Sequence, residues 1–410
     1  MKKMVFMAAF VAATAAFVAC SSNDDLLQQK PDVPEETTVK YPMHVYVNGG
    51  NTRGTDLTST STFDFSTYSA MPSETTTDWT KGVEFSYNNG SCSTTGALDW
   101  YNNTDTYTFY SVSDVANFTK DSQSHPIIPS VTETSVSFGY TMPSATANSE
   151  GMDIVEYNDQ RDLLVAKTTG SATTTPDVDK YPAGSLVVDF THALAQIKAI
   201  KVYCNSANLK PAEVDKWFFR VNGIKLGGLK RAGTYTFDEA TPWVASGDGA
   251  EFEIPLNIPT DPEVAFNRMS FVPGAKAQAL ELPLNTGDGG LYVIPQQVTG
   301  DLVFASDVYS VVGAYAELEL QGMMDETANS AGYVFHVCEN EIGTTWDYES
   351  SQDNGYQRVR VPISFDITGG SGKGYTLVID ITKAVVIEET YNTNRYEGDL
   401  VLMGSLNFEL

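Results

Sequence analysis

The segment RVRVPISFDITGGSGKGYTLVIDI, at residues 358–381, carries the pattern that decides the fold class. Apolar and polar residues alternate on both sides of its glycine-rich centre. A period of two residues is typical of β-strands that bury one face and expose the other. We therefore expect two strands here, joined as a hairpin by the glycine-rich residues 368–374.

The same alternation recurs elsewhere in the chain. Apolar residues occupy every second position of residues 39–47 and again of residues 314–320. Helical periodicity is limited to the N-terminal leader and residues 211–219. Glycine, asparagine and aspartate separate many short predicted strands, which favours β-sandwiches. The sequence thus predicts an all-β protein.

Length and composition predict two domains. A chain of 410 residues exceeds what one hydrophobic core usually organises. The polar segment TTGSATTTPDVDKYPAG, at residues 168–184, lies between two apolar runs and suits a domain boundary. We therefore place an N-terminal sandwich domain at residues 41–183 and a C-terminal sandwich domain at residues 184–410.

The N-terminus has the features of an export signal. Two lysines precede an apolar run at residues 4–19, which is shorter than the roughly 18 residues needed to span a bilayer. Ala19 followed by Cys20 resembles the lipobox of bacterial lipoproteins, in which the cysteine thiol is acylated before cleavage. That resemblance implies a signal peptide at residues 1–19, a lipid on Cys20 and a tether at residues 20–40. The alternative is an ordinary signal peptide cut near Ala19.

Charge and cysteine content bear on partners and cofactors. The formal net charge is -27, from 25 basic and 52 acidic residues. Such a surface repels phosphate backbones, so we expect no nucleic acid partner. Beyond Cys20, the chain contains Cys92, Cys204 and Cys338, without a CxxC or Cys/His spacing that would bind a metal. We expect buried or free thiols, with one disulfide as the alternative, and neither a metal nor a cofactor.

The sequence carries no catalytic signature. It contains neither a GxSxG elbow nor an HExxH pair, and residues 369–374 lack the flanking residues of a phosphate-binding loop. Glu251 and Glu253 alternate with apolar residues, so we expect both to face water. Tryptophans can stack on sugar rings, but large aromatic side chains are more often buried, which we expect here. The five tryptophans are Trp79, Trp100, Trp217, Trp243 and Trp346.

Four phrases match one family, in the order in which that family carries them. They are DLLVA at residues 162–166, VVDFTHALAQIKAIKV at residues 187–202, LYVIPQ at residues 291–296 and GYTLVIDI at residues 374–381. The chain resembles the fimbrillins, the lipoprotein-derived fimbrial subunits of Bacteroidales. The resemblance implies two transthyretin-like β-sandwich domains in tandem. It also implies that VVDFTHALAQ opens the second domain, with His192 as a packed strand residue.

Arg53 is a candidate processing site. It lies in the segment GGNTRG, at residues 49–54, and is the only basic residue between Lys40 and Lys81. In fimbrillins an arginine-specific protease cuts after the first strand, so the resemblance implies cleavage between Arg53 and Gly54. The alternative is a turn arginine without a role.

Cleavage after Arg53 would remove the first strand together with the lipid. A sandwich that lacks a strand exposes apolar side chains and unpaired backbone groups, and a strand from another subunit can satisfy both. The apolar face of this removable first strand consists of Met43, Val45 and Val47.

The C-terminus supplies a candidate donor strand. Apolar residues fall on one face of it up to the last residue, although terminal residues commonly fray. The strand either closes the sandwich of its own domain or enters the groove of another subunit. Its proposed donor face consists of Leu400, Leu402, Leu406, Phe408 and Leu410.

We therefore expect a non-enzymatic structural subunit of cell-surface fimbriae that supports adhesion. Its expected partners are other fimbrial subunits, through strand exchange, the outer membrane, through the lipid, and a host or bacterial surface ligand. Asp24 and Asp25, soon after Cys20, resemble the surface-export tag of some Gram-negative lipoproteins, and the alternative is that they belong to a solvated linker. The alternative function is glycan binding by a surface lipoprotein of an outer-membrane nutrient uptake system. That function would need aromatic side chains clustered on one surface.

Overall fold

The computed structural model describes most of the chain between residues 40 and 409. The described residues are 40–48, 62–72, 77–113, 130–131, 136–145, 147–205, 217–260, 268–272, 274–286, 290–305, 308–324, 357–381, 385–388 and 407–409. Strands are their main regular structure, which confirms the all-β prediction.

The strands are labelled in chain order. The first thirteen are β1 (Tyr41–Pro42), β2 (His44–Asn48), β3 (Thr62–Ser69), β4 (Val83–Asn88), β5 (Ser91–Ser93), β6 (Asp99–Trp100), β7 (Tyr107–Ser113), β8 (Ser130–Val131), β9 (Val136–Thr141), β10 (Ile154–Val155), β11 (Leu164–Gly170), β12 (Ser185–Asp189) and β13 (Thr191–His192). The others are β14 (Ala195–Tyr203), β15 (Trp217–Thr236), β16 (Trp243–Glu253), β17 (Ser270–Phe271), β18 (Leu280–Glu281), β19 (Leu291–Val293), β20 (Gln297–Val298), β21 (Gly300–Ala305), β22 (Val308–Gly313), β23 (Tyr315–Met324), β24 (Gln357–Pro362), β25 (Phe365–Asp366), β26 (Gly374–Asp380), β27 (Val385–Glu388) and β28 (Asn407–Glu409). Among the described residues, short 3-10 helices lie at Tyr157–Asp159 and Lys276–Gln278.

A six-stranded sheet, in the order β13-β11-β7-β3-β4-β5, organises the N-terminal part of the described chain. Its neighbouring strands are all antiparallel. Side chains of this sheet pack with Leu186 and Val188 of the separate pair β12-β2, and we call this apolar group the N-terminal core. Within it, the rings of Trp79 and Phe109 meet edge to face at 5.2 Å between centroids. Such a pair contributes about 0.5–1.5 kcal/mol beyond the burial of its area.

Two further sheets form a second apolar group. A nine-stranded sheet contains the path β10-β16-β15-β23-β24-β27, and a five-stranded sheet contains the path β18-β14-β26-β28. Leu318 of the larger sheet and Leu377 of the smaller one are both 0% exposed and belong to the same cluster, which we call the C-terminal core. The strand predicted from the alternation at residues 314–320 corresponds to β23, which begins at Tyr315.

The hairpin expected at residues 358–381 is wrong. Its first half, β24, pairs with β23 in the nine-stranded sheet. Its second half, β26, pairs in parallel with β14 in the five-stranded sheet. The segment therefore crosses from one sheet to the other, with β25 paired to β20 between them. Alternation indicates that one face of a strand is buried. Both sheets bury one face on the same core, so strands of either sheet show the same pattern. The pattern therefore cannot identify the partner strand.

The predicted domain boundary, between residues 183 and 184, lies just before β12. β12, which directly follows the polar segment at residues 168–184, pairs in parallel with β2. Phe190 still belongs to the N-terminal core, and Ala193 is the first residue after it in the C-terminal core. The division into two domains at residue 184 stays a prediction.

Candidate functional site

The first strands of the described chain are held by few neighbours. β1 pairs antiparallel with β6, with Tyr41 opposite Trp100, and β2 pairs parallel with β12, with Val45 opposite Leu186. Among the described residues, β2 and β12 pair with no other strand. Strand β2 therefore lies in a two-stranded sheet on the N-terminal core, and β12 has only this one partner.

Four apolar side chains of this segment, Tyr41, Met43, Val45 and Val47, attach it to the N-terminal core. Met43, between β1 and β2, is 6% exposed, and its N–H donates to the carbonyl of Leu98 at 2.9 Å. Val45 and Val47 are half-buried and pack against the N-terminal core, while His44 is exposed. A fully buried side chain of this size contributes about 1.5–3 kcal/mol, so the half-buried pair contributes less. The segment is thus held by a modest amount of apolar contact.

A groove of about 610 Å³ lies beside β2. Val45 lines it from one side, and Phe85, Cys92 and Leu98 line it from strands β4 and β5 and the segment after them. Burial raises the pKa of the Cys92 thiol to about 11, and a weaker effect, a hydrogen bond from the backbone of Val47, opposes the shift. The protonated thiol therefore acts as a small, nearly apolar group that faces β2.

The loop between β11 and β12 also holds the segment. The rings of Tyr46 and Tyr181 lie 4.8 Å apart. The carbonyl of Gly184 accepts two hydrogen bonds, from the N–H of His44 at 3.3 Å and from Nε1 of Trp100 at 3.0 Å. The polar stretch that the sequence marks as a boundary thus contacts the first strand directly.

The C-terminal strand occupies the margin of the five-stranded sheet. Strand β28 pairs antiparallel with β26, with Phe408 opposite Leu377 and Glu409 opposite Thr376. In the described chain, β26 is the only strand paired with β28, and the other side of β26 pairs with β14. In this single chain the C-terminal strand therefore extends its own sheet.

Several of the predicted site residues lie outside the described residues. They are Cys20, Arg53, Gly54, Leu400, Leu402, Leu406 and Leu410.

The tryptophans do not form a surface platform in the described chain. Trp79, Trp100 and Trp243 are 0%, 2% and 4% exposed, which confirms the expectation of core residues for these three. His192 is likewise buried in β13, where its Nδ1 contacts the carboxylate of Asp162. It packs as a strand residue, as the family resemblance implies.

Two further properties of the described residues concern metal binding and membrane insertion. They contain no group of three His, Cys, Asp or Glu side chains placed to hold a metal. No helix that they form is long and apolar enough to cross a membrane.

The expectation that Glu251 faces water is wrong. Glu251 lies on β16 and is 1% exposed. Its carboxylate contacts Lys225 of β15 and Asn148 of the turn before β10. The outer face of the nine-stranded sheet is covered at this point by that turn and by Tyr315, which is 4% exposed. A local alternation cannot reveal cover that comes from distant parts of the chain.

Sequence reasoning missed the side of the site that receives β2. The predicted boundary assigns Leu186 and Val188 of β12 to the second domain. Cys92 and Leu98 lie in no distinctive sequence pattern. A parallel pair joins residues far apart in sequence, so no turn between them marks the pairing. The apolar run at residues 186–190 was the one available signal, because continuous apolar runs are typical of buried parallel strands.

The chain is similar to several solved structures. One is a fimbrial protein from Bacteroides vulgatus, at 15% identity and a TM-score of 0.45, covering 90% of this chain and 99% of that one. Another is a candidate cell adhesion protein from Bacteroides uniformis, at 14% identity and a TM-score of 0.36, covering 91% and 98%. A third is the fimbrial anchor protein Mfa2 from Porphyromonas gingivalis, at 10% identity and a TM-score of 0.33, covering 84% and 95%. No protein-family model and no curated protein matches the sequence.

Proposed function

We propose that this chain is a structural subunit of surface fimbriae that joins its neighbours by strand exchange. The observation that carries the proposal is the position of β2. This five-residue strand pairs only with β12 in the described chain, it lines one side of the groove with Val45, and its Val45 and Val47 are only half-buried against the N-terminal core. A strand with one partner and modest burial can be replaced by another strand of similar pattern. The fimbrillin-like phrases and leader support the same function.

Removal of β2 would leave a defined acceptor. Strand β12 would lose its one partner strand, so its backbone N–H and C=O groups along that edge would be unpaired. Leu186 and Val188, each 0% exposed, lie opposite Val45 and Val47 in the register and would lose their cover. An incoming strand with apolar residues at every second position would satisfy both the backbone and the apolar groups.

The donor in this proposal is the C-terminal strand. Strand β28 lies at the sheet margin, so its departure costs the pairing with β26 but leaves the pairing of β26 with β14. That loss is offset by new pairing with β12 of the next subunit. The exchange is favourable only after β2 has left, because the acceptor edge is occupied until then.

Processing at Arg53 is the proposed trigger, and it can be tested directly. The full chain is treated with an arginine-specific protease, and the products are examined by N-terminal sequencing and by gels for ladders that resist mild heating. We expect a new N-terminus at Gly54 and ladders in the wild type. Arg53→Ala should abolish both, whereas the matched control Arg268→Ala, at an exposed position, should abolish neither. Ladders formed by Arg53→Ala would contradict the proposal.

The donor assignment has its own test. A chain that ends after Gly404 lacks Leu406, Phe408 and Leu410. We expect it to fold and to be cut at Arg53, but to form no ladders. Ladders equal to those of the wild type would exclude the C-terminal strand as donor.

Lipidation of Cys20 is the proposed link to the outer membrane before processing. Cys20→Ser should move the protein from the membrane fraction to the soluble fraction and abolish incorporation of labelled fatty acid. Cys92→Ser is a matched control that should change neither. A wild type that takes up no label would contradict the lipoprotein assignment.

A further inference from the structure

A lysine and an asparagine share one buried carboxylate on the outer face of the nine-stranded sheet. Glu251 of β16 is 1% exposed. Its Oε1 accepts a hydrogen bond from Nζ of Lys225 at 2.9 Å, and its Oε2 accepts one from Nδ2 of Asn148 at 3.2 Å. The lysine side chain is 39% exposed. One carboxylate therefore touches both an amine and an amide nitrogen, which places it to move protons between them.

The amide oxygen of Asn148 has two backbone donors. The N–H of Glu150 donates to Oδ1 at 2.9 Å, and the N–H of Met152 donates to the same atom at 3.0 Å. The turn is closed further by the N–H of Asn148, which donates to the carbonyl of Met152 at 2.8 Å. Two fixed N–H groups on a carbonyl oxygen polarise its carbon and would stabilise negative charge that develops on the oxygen.

Tyr315 covers this cluster. Its hydroxyl lies 3.9 Å from the sulfur of Met152, and burial together with the carboxylates of Glu150 and Glu251 raises the pKa of its phenol. The ring fits there because position 227 is glycine: a Cβ on Gly227 would lie 2.1 Å from the Tyr315 ring. The carboxylate and the amide are thus partly shielded from water, which strengthens hydrogen bonds and slows competing hydrolysis.

We propose that Lys225 and Asn148 form an intramolecular isopeptide bond, with Glu251 as the catalytic residue that transfers the protons. Glu251 first accepts a proton from Nζ of Lys225, which leaves a neutral amine. Nζ then attacks Cγ of Asn148, forming the Nζ–Cγ bond, and the negative charge on Oδ1 is held by the two backbone N–H groups. The flexible four-carbon stem of Lys225 carries the amine from Glu251 to the amide carbon.

The second half of the reaction breaks the Cγ–Nδ2 bond. Glu251 relays a proton from Nζ to Nδ2, the carbonyl re-forms, and ammonia leaves with the remaining proton as ammonium. Overall, an ammonium side chain and a primary amide become a secondary amide and an ammonium ion. The step needs no oxidant, cofactor or metal, because the charge and atoms balance among these three side chains.

The bond would join strand β15 to the turn before β10. It would close a loop between residues 148 and 225, so a force that pulls on the chain could not extend the residues between them. This inference stands apart from strand exchange, since it concerns a different face of the molecule and needs no second subunit.

The test is the mass of the purified, folded full chain after prolonged incubation in buffer. We expect a mass lower by one ammonia, and a tryptic map in which a peptide containing residue 148 is joined to one containing residue 225. Trypsin should no longer cut after Lys225. A folded wild type that keeps its full mass, or an ammonia loss that maps elsewhere, would overturn the proposal.

Variants identify the side chains that take part in the reaction. Lys225→Arg and Glu251→Gln should keep the full mass, and Asn148→Asp should give the same product by loss of water. Glu253→Gln, on the same strand as Glu251, and Lys201→Arg, on β14 of the five-stranded sheet, are controls and should still lose ammonia. If Glu251→Gln fails to fold, Lys225→Arg decides, because it keeps the charge opposite Glu251. An ammonia loss that persists in Lys225→Arg would exclude the bond.

Discussion

Strands β2 and β26 have the same alternating sequence pattern but are held very differently. In the described chain β2 has β12 as its one strand partner, whereas β26 lies between β14 and β28. Val47 of β2 is half-buried, while Leu377 and Ile379 of β26 are 0% exposed. A period of two therefore identifies a strand but does not show how firmly the strand is held. The number of paired edges and the depth of burial decide that.

The difference assigns separate roles to the two strands. Loss of β26 would remove side chains from the middle of the C-terminal core and unpair both of its neighbours. Loss of β2 would uncover one edge and one groove of the N-terminal core. We therefore expect β26 to be part of the fold and β2 to be a replaceable cover, and four measurements can break or sharpen that distinction.

The largest effect is expected from Leu377→Ala in β26. A fully buried leucine cut to alanine costs the transfer free energy of the lost groups plus that of a cavity, about 2–5 kcal/mol. The matched change in β2, Val47→Ala, should cost less than about 1 kcal/mol, because the side chain is half-buried and smaller. Chemical denaturation of both variants measures the two free energies of unfolding. Equal costs would show that β2 is held as firmly as β26.

A chain that lacks residues 1–53 should still fold, although with lower stability. It loses β1 and β2 but keeps the six-stranded sheet and the whole C-terminal core. A synthetic peptide of sequence YPMHVYVN, residues 41–48, should bind in trans and raise the melting temperature of this chain. Circular dichroism and calorimetry measure folding and binding.

The control peptide replaces Val45 and Val47 by aspartate and should not bind. These residues pack against the N-terminal core, so charges there would lose water without gaining a partner. A truncated chain that cannot fold would show that β2 is part of the core and not a cover.

The sequence predicted the strands better than their pairing. Alternation located β2, β23, β24 and β26, because burial of one face imposes the pattern on each strand by itself. It misplaced the connection between β24 and β26, since glycine-rich segments join strands of different sheets as readily as strands of one hairpin. The parallel pairing of β2 with β12 was also invisible, because nothing local marks a partner more than a hundred positions away.

The same limit explains the candidate sites. Met43, Val45 and Val47 could be placed on one face from their spacing alone, and all three contact the N-terminal core. The burial of Glu251 could not be predicted, because its cover comes from Asn148 and Tyr315, which lie about a hundred and about sixty residues away. Long-range cover of a polar residue is a property of the packed sheets and leaves no periodic trace.

The Cys92 thiol reports on the cover that β2 provides. Its pKa of about 11 in the folded chain is raised by burial, whereas a cysteine in the unfolded chain ionises near about 8.5. Between these values the folded state keeps the proton and the unfolded state loses it, so the free energy of unfolding should decrease as pH rises. Cys92→Ala should make the free energy of unfolding depend less on pH.

Mass mapping of alkylated peptides should also show faster labelling of Cys92 in the chain without residues 1–53. An unchanged rate would show that β2 does not shield the thiol.

The smallest effect is expected at an exposed ion pair on β14, the strand beside β26. Nζ of Lys201 lies 3.5 Å from a carboxylate oxygen of Glu281 on β18, with side chains 38% and 61% exposed. Water screens such a pair, so Lys201→Ala should change the free energy of unfolding by less than about 0.5 kcal/mol, and the change should shrink further in high salt. Denaturation at low and high salt measures both. The control is Glu281→Ala, which breaks the same pair from the other side and should have a similarly small effect. A large loss of unfolding free energy in either variant would mean that surface charge, and not burial of Leu377 and its neighbours, stabilises this part of the five-stranded sheet. Depth of burial would then not explain the difference between β26 and β2.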